Sequence, residues 1–335
     1  VSDPHCILER GIGETRALIR LGRKPVEVHI RRDSQAARPF EGDMFAGRIT
    51  RIDKNMMAAF VDLGAGESGL LRFATAPNAP RLCEGDGVEV RIKRTQEPGK
   101  AALLEFVGKT KVREPGKIKA LSLQDVLQAR WPGLVFEKGR VDLVEPLCES
   151  EVALPSGGFV YIDHTRAGTM IDVDSGTAPK FKTAMEAAKE VSRQIRLRGI
   201  GGLILTDFPN LRAKKQRADV WQTFADGFNT DPDTDKIAPF SRFGTIEMSR
   251  TRHGPSIAQI YAQNPAETLA LLGLRRLLQE VQGQGGARWV LQLPKPGFDW
   301  LEQNVIDWRG QLEGRIGARF RIIKGATLDV FRDDA

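Results

Sequence analysis

Two short stretches, Gly168-Thr-Met-Ile-Asp-Val-Asp174 and Gly202-Leu-Ile-Leu-Thr-Asp-Phe208, decide how the middle of this chain folds. In the first, apolar and polar residues alternate, and because strand side chains repeat every second position, Asp172 and Asp174 fall on one face. The second is apolar until Asp207, the pattern of a buried central strand whose polar residue emerges at its carboxyl end. Between them, Phe181, Ala184, Met185, Ala188, Val191 and Ile195 recur at helical spacing, which predicts an amphipathic helix over 181–197. A helix joining two strands is a crossover, so the strands are expected to be parallel neighbours with Asp172 and Asp207 at the same edge.

Adjacent carboxylates repel unless a cation neutralises them, and an all-oxygen donor set suits Mg²⁺ or Mn²⁺. A second reading stands beside it: Asp174 caps the turn at Ser175-Gly176, and Asp207 simply ends a strand before Pro209. Basic residues gather around the acids. Arg193, Arg196 and Arg198 precede the second strand, Lys214, Lys215 and Arg217 follow it, and Arg242, Arg250 and Arg252 come later. Phosphate binding explains that density, as does a solvated helix face for Lys189 and Arg193. Arg242 and Arg250 are the stronger candidates because they flank a predicted strand in Ser241-Arg-Phe-Gly-Thr-Ile-Glu-Met-Ser-Arg250.

Upstream, alternation over 12–30, with a turn at Gly22-Arg-Lys-Pro25, predicts an opening hairpin. Five short strands are then expected at 44–52, 58–63, 69–73, 88–94 and 101–107, the size of a small OB-fold barrel. On it, Phe60 offers a ring for base stacking with Arg48, Arg51 and Lys100 along a backbone path, or serves as a core residue. The basic stretch 109–119 reads as a linker, followed by a short helix over 122–130. Downstream, helices are expected at 216–228 and 265–281, a strand at 245–249, a hinge at Gly283 to Gly286, and a strand-helix-strand unit over 288–323.

The whole chain has 335 residues, 41% hydrophobic and 28% charged, which fits about two or three folded domains and excludes general disorder. Lys and Arg number 50 against 43 for Asp and Glu; the net charge of +7 favours a polyanionic partner without naming one. No apolar run approaches the about 20 residues needed to span a bilayer, and the start lacks the basic-then-apolar pattern of a leader, so a cytoplasmic protein is expected. Cys6, Cys83 and Cys148 are far apart, and neither a disulfide framework nor a structural zinc site is expected. Four scattered histidines give no zinc-hydrolase or triad pattern, and Gly64-Ala-Gly-Glu-Ser-Gly69 lacks the lysine and helix of a P-loop.

The motifs Val152-Ala-Leu-Pro-Ser-Gly-Gly158, Met170-Ile-Asp-Val-Asp-Ser175, Arg193-Gln-Ile-Arg-Leu-Arg-Gly-Ile-Gly-Gly202, Leu203-Ile-Leu-Thr-Asp-Phe208 and Ser241 to Arg250 resemble, in that order, the ribonuclease E/G family. Asp43 to Phe73 is similar to that family's OB-fold RNA-binding domain. The resemblance implies an α+β multidomain protein: an N-terminal hairpin segment that is a ribonuclease H-like remnant (1–38), an OB-fold barrel (39–108), a linker and shortened sensor region (109–150), a deoxyribonuclease I-like catalytic domain (151–258) and a small C-terminal domain (265–335). It puts Asp172 and Asp207 on magnesium-binding positions, Asp174 on an orienting one, and Phe60 and Lys100 on RNA-contacting ones; Arg196 and Arg198 join the expected RNA contacts.

The implied activity is Mg²⁺-dependent endonucleolytic hydrolysis of single-stranded RNA, in ribosomal RNA maturation or message turnover, with a noncatalytic RNA-binding protein as the alternative. Departures from the family pattern are plain. Leu70 replaces a second aromatic of the barrel, the pocket for a 5′-monophosphate is not recognisable, a loop after Ser175 is shortened, and the paired cysteines of a zinc link are absent between Arg252 and Pro265. A monomer or a weak zinc-independent dimer is therefore expected.

Overall fold

Strand alternation and a few amphipathic helices build the computed structural model, which describes residues 3–73, 81–96, 101–111, 114–282 and 286–333. The chain divides into two units, each assembled from separated stretches: 1–36, 135–148 and 257–335 in one, 37–134 and 149–256 in the other. The N-terminal hairpin thus shares its unit with the C-terminal region, and the expected linker region is divided between the two.

In the first unit, β1 (Pro4–Arg10), β2 (Glu14–Leu21) and β3 (Lys24–Arg32) form an antiparallel meander, and β10 (Val135–Lys138) adds to β1 in parallel. The expected hairpin is β2 and β3. After α4 (Ile257–Gln263), helix α5 (Pro265–Val281) starts at Asn264, whose side chain accepts from the Glu267 backbone N–H, with Pro265 preset for the first turn. It buries Ala270, Leu271, Leu274 and Leu277, while Leu269, Leu272 and Leu278 stay half-buried. Strand β17 (Trp289–Leu293), helices α6 (Lys295–Glu302) and α7 (Trp308–Ile316), and strands β18 (Phe320–Lys324) and β19 (Asp329–Arg332) complete the small core with Trp300 and Trp308. Buried Arg16 and Arg32 share Glu14 at 2.7 and 3.0 Å, and Arg16 also donates to Tyr261 at 2.8 Å, so these interior charges are paired.

In the second unit, β4 (Met44–Asp53), β5 (Ala58–Gly64), β6 (Glu67–Arg72), β7 (Gly87–Arg94) and β8 (Ala102–Lys109) close into a five-stranded barrel in the order β4-β5-β6-β8-β7, with β6 and β8 parallel. Phe45, Ile49, Val61, Leu63, Leu71, Val90, Ile92 and Leu104 fill it. At Gly69 a Cβ would lie 2.6 Å from the Leu104 side chain, so a larger residue there would force that core leucine to shift. Part of the expected linker is β9 (Gly116–Lys119), paired to β4, and α1 (Leu123–Arg130) begins at a reciprocal Ser122–Asp125 capping box.

The same unit holds a six-stranded sheet in the order β11-β12-β13-β14-β16-β15, from β11 (Glu151–Ala153), β12 (Phe159–His164), β13 (Thr169–Asp174), β14 (Gly202–Asp207), β15 (Thr234–Ile237) and β16 (Thr245–Arg250). Helix α2 (Lys180–Leu197) makes the expected parallel crossover from β13 to β14, and α3 (Lys214–Asp226) packs beside it. Val160, Ile162, Ile171, Val173, Ile204, Ile246 and Met248 point into one core with these helices. The opposite sheet face stays open, with Met170 46% and Leu203 53% exposed. Among the described residues no helix is long and apolar enough to cross a membrane.

Candidate functional site

The open face carries the acids. Asp172 of β13 stands directly opposite Asp207 of β14 in parallel register, both exposed, and Asp174 follows on the same face. The Asp172 carboxyl is raised above the ordinary range, by partial desolvation first and then by the charges of Asp207 and Asp174. That repulsion is what a bound cation relieves. Asp174 also accepts from the Gly176 N–H at 2.8 Å, so it does cap its turn, and this leaves Asp172 and Asp207 as the freer pair. Among the described residues no three His, Cys, Asp or Glu side chains form a metal cage. Two oxygen donors still fit Mg²⁺, which is commonly held by one or two carboxylates together with substrate phosphates.

A cavity of about 330 Å³ opens beside Asp207, lined by Arg217 of α3 and by Arg242, Phe243 and Gly244 from the β15–β16 loop. Arg242 is exposed there, as expected of a phosphate ligand. Phe243, 92% exposed, escaped sequence reasoning because an aromatic within a strand-like motif reads as core; only its place in the loop reveals it. Arg217 was visible only as one of a run of basic residues.

Three arginines are corrected. Arg250, expected to neutralise developing charge, is 4% exposed and turned into the core side of the sheet, bonded to Asp231 at 2.7 and 3.0 Å and to the Ile200 carbonyl at 2.9 Å. It pairs with Gly202 while Asp207 pairs with Thr245, five residues along the strand, about 17 Å away. Arg196 and Arg198, expected on the RNA path, are 5% and 1% exposed. Arg196 donates to Thr230 at 3.0 Å, and Arg198 donates to the Glu149 carbonyl and to Gln194, each at 2.6 Å. Their guanidiniums hold the protein together.

On the barrel, Phe60 lies outside the core, between inward Ala59 and Val61, with the Arg51 guanidinium 4.3 Å from its ring centre. Register places Arg51, Phe60, Leu70, Leu103 and Arg94 in one row across five strands, so Leu103 and Arg94 join the surface that sequence reasoning had outlined. Arg48 is exposed and donates to the Gly85 carbonyl at 3.4 Å. Lys100 lies outside the described residues, as does most of the glycine stretch taken as a hinge.

A half-buried charge cluster joins the segment before the barrel, α1 and the sheet within this unit. Asp233 accepts from Arg130 at 2.5 and 2.8 Å and from His253 at 2.8 Å, while His253 also meets Glu41 at 2.7 Å. Hydrogen bonding to Asp233, then to Glu41, raises the His253 imidazole to about 9. His253 is therefore a structural cation, and His164, held by Thr169 and Ser256 and lowered by burial, is structural and neutral.

Residues 105–253 match the model of the ribonuclease E/G family. The chain is 39% identical over 124 residues to ribonuclease E of Escherichia coli, a stretch covering 35% of this chain and 12% of that protein. Ribonuclease E of Synechocystis is 36% identical over 138 residues, covering 38% and 20% respectively. Ribonuclease G of Escherichia coli is 31% identical over 125 residues, covering 35% and 26%. The chain thus spans only about an eighth to a quarter of the length of these relatives. The region that carries the paired aspartates is thus the region similar to the ribonuclease E/G family.

Proposed function

We propose that this protein is an endoribonuclease that hydrolyses single-stranded RNA with Mg²⁺, or Mn²⁺ in its place, as a compact family member without the 5′ sensor and the zinc link. The pairing of Asp172 with Asp207 on an open sheet face, beside a cavity lined by Arg217 and Arg242, carries the reading. Asp172 and Asp207 would hold the cation, while Asp174 orients the turn behind them. When bound, Mg²⁺ supplies charge neutralisation at the scissile phosphate and a lowered pKa for an attacking water. Arg242 and Arg217 offer guanidinium donors to the phosphate as charge develops on it, and the products carry a 5′-phosphate and a 3′-hydroxyl.

The strand order and size of the barrel support an OB fold, and its row of Phe60, Leu70 and Leu103 between Arg51 and Arg94 suits a captured single strand. The sheet with its crossover supports a deoxyribonuclease I-like catalytic layer. The family resemblance supports a role in ribosomal RNA maturation or message turnover, and we place that role in the cytoplasm.

The test is cleavage of an end-labelled, unstructured RNA with Mg²⁺, with chelator, and with Phe60→Ala. Cleavage is expected only with the cation, and Phe60→Ala is expected to raise KM with kcat little changed. RNA that is bound but never cut supports instead a noncatalytic RNA-binding protein on the same scaffold. Substrates ending in monophosphate, triphosphate or hydroxyl are expected to be cut at similar rates, and a strong monophosphate preference would reveal a sensor in 109–150. Light scattering with and without chelator is expected to report a monomer or weak dimer unaffected by zinc removal.

A further inference from the structure

One feature of the open face is not needed to hold a cation. On β12, next to the acidic strand, Phe159 and Tyr161 project to the open side between Val160 and Ile162, which are buried in the core. Their rings stack on each other, with centroids 6.2 Å apart and planes inclined by 29°. Tyr161 is the cross-strand partner of Asp172, and Phe159 that of Asp174. Directly opposed residues of an antiparallel pair share a face, so the ring pair and the acids lie side by side. On its other side, Tyr161 is the cross-strand partner of Glu151 in the edge strand β11.

Two aromatic rings held half-exposed on a rigid strand present a π face without the entropy cost of ordering a loop. The acids beside them repel a bare phosphate but not a neutral base. From β12 to β14 is two strand spacings, about 10 Å, so a nucleotide neighbouring the one at the Asp172–Asp207 pair reaches the rings with its base while its backbone runs toward Arg242 and Arg217. We propose that Phe159 and Tyr161 form a base-stacking subsite that grips one nucleobase next to the scissile bond. This inference rests on the ribonuclease reading above and deepens it, because it makes substrate binding depend on a base at one fixed distance from the cut, whatever the sequence of that base.

The experiment uses short single-stranded RNAs carrying 2-aminopurine at successive positions, bound to Asp207→Asn protein, together with KM and kcat on RNAs carrying an abasic site at the same positions with Asp207 intact. Quenching is expected at one position near the cut. There an abasic site is expected to raise KM about 10-fold with kcat within about twofold, and Phe159→Ala is expected to abolish the quenching and make the abasic substrate no worse than the intact one. Tyr161→Phe and Phe159→Tyr, which keep the rings, are expected to retain the quenching, and a thermal melt on each variant guards against misfolding. Quenching that survives Phe159→Ala, or abasic scanning that shows no position-specific rise in KM, overturns the subsite while leaving the ribonuclease reading intact. Absence of cleavage with ring-dependent quenching retained overturns the ribonuclease reading and keeps the base contact.

Discussion

The two faces of the six-stranded sheet are made by the same strands and do opposite work. On one face, Ile171, Val173, Ile204, Ile246 and Met248 meet α2 and α3, and the only charge among them, Arg250, is locked to Asp231. On the other, Asp172, Asp174 and Asp207 crowd together with their repulsion unrelieved, next to exposed Met170 and Leu203. Folding favours the first arrangement and is opposed by the second. Charge without compensation on an otherwise well-packed sheet is the mark of a site waiting for a ligand that supplies the opposite sign.

The contrast sharpens around β16: Arg250 at its end is buried on the packed side, while Arg242 in the loop before it is exposed in the cavity beside Asp207. Arg250→Ala strands Asp231 in the core, and breaking a buried pair typically costs about 3–5 kcal/mol. Chemical denaturation is expected to show that loss, with RNA cleavage falling only as far as folded protein is lost. Arg242→Ala is expected to do the reverse: cleavage about 100-fold slower, from removing one donor to a developing charge, with the melting temperature unchanged. If both arginines behaved alike, the division between faces would be wrong.

A smaller effect separates the half-buried His253–Asp233 cluster from the open face by pH. His253 is raised from 6.5 to about 9 in the folded state, so its stabilisation is full below pH 6.5 and is lost as pH rises through 9. Asp233 is lowered, so its share is present above its ordinary value of 3.8 and is lost as pH falls below that. Melting temperatures are expected to be highest between about pH 4 and 6.5 and to fall by a few degrees toward pH 9. His253→Gln is expected to flatten the alkaline fall.

The smallest effect belongs to the acids themselves. A carboxyl raised in the fold destabilises it above the unfolded value and ceases to do so as pH drops. Asp172→Asn is therefore expected to raise the melting temperature at neutral pH without divalent cation, by about 1–2 °C for so exposed a group.

The acidic face was legible because two simple periods sufficed: alternation put Asp172 and Asp174 together, and the helical stripe over 181–197 made the next strand a parallel neighbour. Alternation also held the information that Arg250 lies inward, since it shares parity with Ile246 and Met248, yet its charge argued louder than its position. For Arg196 and Arg198 no local signal existed, because Thr230 and Glu149 are supplied by distant segments. The same holds for β10, a short strand that pairs with β1 across more than a hundred residues of chain, and for β9, whose Gly-Lys-Ile-Lys sequence reads as linker until it meets β4. Phe60 could be read outward from inward Ala59, Val61 and Leu63, whereas Phe243 could not be placed without its loop.

The most direct test measures single-turnover cleavage of a labelled single-stranded RNA and thermal stability on the same preparations of wild type, Asp172→Asn and Asp207→Asn, in Mg²⁺ and free of contaminating nuclease. The account predicts that each substitution lowers cleavage by about 1000-fold or more while the protein melts no lower than wild type. Near-normal cleavage by either variant, or loss of cleavage that merely follows loss of stability, would contradict it.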